Sequence, residues 1–340
     1  MTDCLIKRLP LISNLTKGFY NEISLLKVFA FLLVTWFHLK YVAPENLQSF
    51  FLGGSIGNGI FMYCSGYLFH LKSERFLGQW VFQKWFRMFP SIWIFLLLGM
   101  IWTFPAITFK WFNFVYPSNF WFVDALLIYF VVSYIFKKLL NNDKLEIEIL
   151  FVGACGLMCL FFFQDARMSK YVIMDYGGKI SWSMYFLSFL LGRWIRGKKL
   201  KTRPICWLFF LLSFFSYFGY KYIAEHFNSL LIVQIVAMPF FLNLTIVLFH
   251  CCCIRAVNFT FLKKISFVVL FLSNITLELY VVQVFLIHQI GPFFTFPISL
   301  FLLFALVITV AAVVHVCADA VRLCLTKTAS CMVDCFEKKS

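Results

Sequence analysis

The sequence predicts an all-α polytopic membrane protein with about ten transmembrane helices and both termini cytoplasmic. Three observations predict it. Hydrophobic residues make up 62% of the chain and charged residues 13%, with a mean hydropathy of +0.87; soluble domains carry about 25% charge. Apolar runs of the roughly 20 residues that a bilayer crossing needs recur along the whole length. Lys and Arg gather in alternate connections between those runs, as the positive-inside rule requires.

The ten runs centre on residues 23–42, 54–71, 88–107, 119–137, 147–163, 180–196, 204–223, 229–250, 268–290 and 297–317. Residues 1–22 read as a short basic cytoplasmic segment (Lys7, Arg8, Lys17) without the cleavage site of a signal peptide, and residues 318–340 as a cytoplasmic tail. With no linker or hydrophilic block for a second fold, residues 1–340 make one membrane-embedded domain. Twenty-three Lys and Arg fall in the connections on one side and six on the other, with Lys27 inside the first run. The crowded side is the cytoplasm.

The net charge of +15 does not point to nucleic acid, because the charges are dispersed among membrane runs and no soluble basic face exists to hold a duplex. The 12 cysteines lie in spans and inner connections, none in an outer loop, and read as small apolar core residues rather than disulfides. Cys251, Cys252 and Cys253 form a juxtamembrane run open to lipidation. Cys331 and Cys335 lack partners at zinc-site spacing, so no metal is assigned.

The first span carries Lys27 and His38, 11 residues apart. That is about three helical turns, so both side chains share one face, roughly 16 Å apart along the axis. A lone Lys one turn inside a span can snorkel to the interface. Together with a His at the far end of the same face, it marks the two ends of a reaction path through the membrane.

The second span, GGSIGNGIFMYCSGYLF from Gly53 to Phe69, is rich in small residues and suits close helix packing. Lys84 and Arg87 follow, three apart and so on one helix face. They read either as positive-inside charge or as a phosphate clamp on the side of Lys27. The stretch from Trp102 to Phe122, with Trp111, Tyr116 and Trp121, reads as an aromatic belt or as a stacking surface for sugar rings. Asp124 enters the fourth span at its outer end, where a carboxylate either is hydrated or orients a histidine at similar depth. Glu278 lies mid-span in the ninth run beside Asn274 and Gln283 and must face the bundle interior or water, with Lys27 as one partner.

These residues, in this order, resemble the integral-membrane acyltransferase family 3, the O-acyltransferases of bacterial surface glycans. Lys27 and His38 are similar to the family's basic-x10-His pattern, and GNGIFMYCSGYL from Gly57 to Leu68 to its second-span signature, with Phe61, Ser65 and Gly66 in register. Lys84, Arg87 and Pro90 resemble its R-x-x-R-x-x-P segment, Trp121 to Tyr129 its aromatic fourth-span start, and Leu277 to Gln283 its late L-x-x-Y-x-x-H segment. Two positions depart. Gly59 replaces the signature's Asp, which is expected to loosen a helix contact, and Gln283 stands where a His is common, which removes a candidate acid–base group.

The resemblance implies transfer of an acyl group, usually acetyl, from cytoplasmic acetyl-CoA to a hydroxyl of a surface polysaccharide or lipid-linked glycan, in the bacterial cytoplasmic (inner) membrane. Lys27, Lys84 and Arg87 are then the cations for the donor's phosphates. His38 is the general base or a transient acyl carrier, and Asp124 and Glu278 complete the catalytic set. No metal takes part. The rival reading is a proton-coupled transporter or flippase of an anion or glycan lipid, since carriers also display intramembrane Lys, His and Glu. No inverted repeat and no paired Gly/Pro-broken spans support it.

Overall fold

The computed structural model describes residues 21–69, 77–101, 120–140, 142–165, 179–226 and 231–337. Among them the chain forms twelve α-helices and no strand. They are α1 (Glu22–His38), α2 (Gly54–Tyr67), α3 (Leu77–Ile101), α4 (Trp121–Leu140), α5 (Asp143–Asp165) and α6 (Lys179–Ile195). The second half holds α7 (Cys206–His226), α8 (Leu231–Ala256), α9 (Thr260–Lys264), α10 (Ser266–Asn274), α11 (Thr276–Ile290) and α12 (Ile298–Glu337). Each of the ten apolar runs coincides with a helix, or for the ninth with the pair α10–α11. Glu22–Val42, Ile235–Ala256 and Ile298–Leu325 are long and apolar enough to cross a membrane, and the α10–α11 pair, bent by 72°, is a fourth. The architecture is all-α and compatible with a membrane protein. The segment 1–20 and the aromatic stretch around Trp111 and Tyr116 lie outside the described residues.

Two elements differ from the expected runs. The last helix continues to Glu337, 20 residues past the expected end at residue 317, because no Gly or Pro interrupts it from Ile298 onward. The ninth run breaks at Ile275, where the Thr276 hydroxyl donates to the Ser273 carbonyl at 3.0 Å. The break restarts a helix and puts Glu278 in the first turn of α11, where exposed backbone N–H groups favour an anion.

Helix α1 starts because the Asn21 side chain accepts from the Ser24 N–H at 3.0 Å, satisfying one of the first orphan donors. It buries Leu26, Ala30 and Val34 along one face. Small residues then set how close its neighbours come. A Cβ on Gly57 would stand 2.8 Å from the Ala30 carbonyl oxygen, and a Cβ on Gly66 or Gly192 would collide with the backbone of the facing helix, α6 or α2. Gly59 does not loosen its contact. Its Cβ would meet Ile246 and Leu242 of α8 at 3.0 and 3.1 Å, so this position faces aliphatic side chains and an Asp there would be buried against them. The triple cysteine run is also not a lipidation site, because Cys251, Cys252 and Cys253 are all buried at the end of α8.

At the Lys27 end of the bundle, α5 and α6 are joined by a bidentate pair, Arg193 to the buried Glu146 at 2.5 and 2.9 Å. Arg193 also lies over the Phe69 ring at 4.5 Å, and Arg196 donates to the Phe69 carbonyl, so the end of α2 is tied in as well.

Candidate functional site

Cross-helix contacts set the depth of each side chain relative to α1, whose Lys27 and His38 mark two ends. Helix α2 runs back from the His38 end, since a Cβ on Gly54 would touch Phe37 and one on Gly57 would touch Val34. Helix α11 rises toward the His38 end: Gln283 Oε1 accepts from Thr35 Oγ1 at 2.6 Å, and the His288 ring lies 3.9 Å from that of Tyr41. Helix α12 returns, with Leu303 near Gly291 at the top and His315 beside Glu278 lower down. Phe120, just before α4, meets Phe285, and Phe130 of α4 meets Trp80 of α3, so α4 also descends to the Lys27 end.

Between these helices lies a cavity of about 540 Å³. Lys27, Lys84, Arg87 and Arg322 line it at one end, where Arg87 is exposed and marks the mouth. Lys27 and Arg87 have no acidic partner among the described residues. The Lys84 ammonium rests 5.2 Å from the centre of the Phe130 ring and 5.5 Å from that of Trp80, which holds it at the wall by cation–π attraction. Four cations converging on one cavity, two of them without carboxylates, can hold a polyanion.

The acidic side of the wall is a network on three helices. Glu278 Oε1 accepts from the Ser91 hydroxyl of α3 at 2.6 Å and lies 3.1 Å from His315 Nδ1 and 3.7 Å from Arg322 Nη2 of α12. His315 Nε2 faces Asp319 at 3.4 Å, and Arg322 pairs with Asp319 and donates to Ser91 Oγ at 2.9 Å and to the Arg87 carbonyl at 2.8 Å. The partner expected for Glu278 was Lys27. Lys27 lines the same cavity, but the groups that bind Glu278 come from α3 and α12.

Away from the mouth, the lining becomes aromatic. Phe61, Phe122 and Tyr280, from α2, α4 and α11, meet with ring centres 4.5 to 6.3 Å apart. On each of their helices they are the lining residues nearest the His38 end.

His38 lies beyond, outside the cavity lining. Its ring neighbours are Phe37 at 5.4 Å and Tyr41 at 6.4 Å, and Tyr41 is shared with His288. Its Nδ1 is buried with no hydrogen-bond partner among the described residues. The Lys40 ammonium sits over the Phe37 ring at 4.1 Å. Asp124 is buried in the first turn of α4, whose neighbouring residues Trp121 and Phe122 pack on Tyr185 and Tyr280. Gln283, in place of a late His, is buried and bound to Thr35, one turn from His38 along α1.

Sequence reasoning missed Ser91, His315 and Asp319, and counted Arg322 only as inner-side charge. The signal was present in the spacing. His315, Asp319 and Arg322 stand at i, i+4 and i+7, one face of a helix that was expected to end at residue 317.

A family model described as an acyltransferase domain matches residues 20–317. No curated protein and no solved structure matches the chain.

Proposed function

Because this chain belongs to acyltransferase family 3, acyl transfer is its activity in general terms, and from that premise we propose an O-acetyltransferase that takes acetyl from cytoplasmic acetyl-CoA and delivers it to a glycan hydroxyl across the membrane. The acceptor is a surface polysaccharide or a lipid-linked glycan. The protein sits in a bacterial cytoplasmic membrane with about ten spans and both termini inside. Charge asymmetry supports that orientation, with the Lys27 end inward.

The observation that carries the reading is the cavity in which Lys27 and Arg87 stand without carboxylates beside Lys84. Coenzyme A presents phosphates, which such cations bind by charge-assisted hydrogen bonds. The apolar lining of Leu126, Phe130 and Met88 suits the acyl-pantetheine arm. On the opposite side, His38 takes the proton of the acceptor hydroxyl, for which its buried Nδ1 has no competing partner among the described residues. The acceptor oxygen then bonds to the acyl carbon, the C–S bond breaks, and the thiolate of CoA leaves. If His38 instead carries the acyl group, the same nitrogen forms the transient bond.

The bent span at Ile275 is a feature that carriers share, and it favours a second reading, transport of an anion or glycan lipid without chemistry. Purified protein incubated with labelled acetyl-CoA and native membrane glycan separates the two. Free CoA with labelled glycan is the expected result. Binding of acetyl-CoA without turnover overturns the enzyme.

A further inference from the structure

We infer that Phe61, Phe122 and Tyr280 decide whether the acyl group reaches the acceptor hydroxyl or is lost to water, by standing as a closed aromatic gate between the donor cavity and His38. The inference rests on the donor reading above and adds the element that separates its two halves.

Three observations carry it. The rings come from three different helices and meet one another, with centres 4.5, 5.9 and 6.3 Å apart. Each is at most 8% exposed, and each is the lining residue of its helix nearest the His38 end. His38 lines no part of the cavity. A second layer lies beyond the rings. Gln283, three residues past Tyr280 and so about one turn farther along α11, is buried and bound to Thr35 at 2.6 Å. From Lys27 to Thr35 is roughly 12 Å along α1, so Gln283 stands one turn short of His38 and the rings lie about one turn nearer Lys27.

A donor entering at the cation-lined mouth therefore meets the rings with its acyl tip. The rings hold one another by edge and tilted contacts rather than covalently, so rotamer changes suffice to part them. The order of events matters chemically. If the path stands open, water replaces the acceptor: its oxygen bonds to the acyl carbon, the C–S bond breaks, and free carboxylic acid and CoA thiol are released. Phe61 and Phe122 carry no acid or base, so they act on this choice through access alone.

The test uses membranes of the source cell, which hold the natural acceptor, and labelled acetyl-CoA as the probe. The readout is the partition of label between glycan and free acetate. Phe122→Ala and Phe61→Ala are expected to raise the acetate-to-glycan ratio about tenfold. Phe122→Leu, which keeps most of the volume, is expected to raise it by a smaller factor and covers an Ala variant that does not accumulate. Variants that accumulate and turn over with the wild-type partition overturn the gate while leaving the donor reading intact. Wild-type membranes that consume no acetyl-CoA overturn the donor reading itself, and the gate with it.

Discussion

Glu278 and His315 face each other at 3.1 Å across the antiparallel helices α11 and α12, with the Ser91 hydroxyl on the same carboxylate oxygen at 2.6 Å. A carboxylate this deeply buried in an apolar bundle persists only with donors around it. The break at Ile275 supplies one contribution by setting Glu278 at a helix start, and α12 supplies the others. The network thereby ties three helices together along one wall of the cavity.

Glu278→Ala leaves Arg322 and His315 facing an emptied site. Loss of about 3–5 kcal/mol is expected, the usual size for removing one partner of a buried ion pair. Glu278→Gln keeps an acceptor for Ser91 and should fall between the two. Thermal unfolding in detergent measures both; an unchanged melting temperature for Glu278→Ala overturns the structural role.

His38→Ala removes the unpartnered ring nitrogen without touching the cavity. Acetyl transfer to glycan should fall by about 10²- to 10⁴-fold while the protein stays inserted and still binds acetyl-CoA. Transfer near the wild-type rate would sink the assignment of His38.

Arg87→Ala acts at the mouth, where the side chain has no acidic partner among the described residues. The expected signature is a KM for acetyl-CoA raised about tenfold with kcat nearly unchanged, since a phosphate contact binds ground and transition state alike. Arg87→Lys should recover part of the affinity. A fall in kcat at constant KM would place Arg87 in the chemistry instead.

Gly66→Ala and Gly192→Ala put a methyl into the backbone of the facing helix, Gly66 against the Phe189 carbonyl and Gly192 against that of Tyr63. Overpacking of this kind costs about 1–3 kcal/mol or more. Gly153→Ala meets no atom within 4 Å and should be tolerated or stabilising. Expression and melting temperature compare the three; equal effects would contradict the close α2–α6 approach.

Much of the bundle was legible because each apolar run comes within the range of lengths that a bilayer crossing takes, and helices follow from that length. The Lys27/Lys84/Arg87 grouping was legible for a related reason, since Lys84 and Arg87 fall on the crowded side of the charge count and Lys27 lies one turn inside the first span from that side. The network around Glu278 was not. Ser91 lies 187 residues from Glu278 in the chain, and Arg322 looked like any other inner-side cation.

The sequence by itself determined the helical class, the family, and which side chains carry charge into the bundle, because composition, run length and local motifs are properties of neighbouring residues. The tertiary structure alone decided which of those groups meet: Glu278 with His315 and Ser91, Gln283 with Thr35, and Phe61 with Phe122 and Tyr280 at one end of the cavity. The reason is physical. A helix fixes the face on which a side chain stands, but its partner depends on the rotation and depth of the neighbouring helix, and those are set by packing contacts such as Gly66 on Phe189 that span the whole chain.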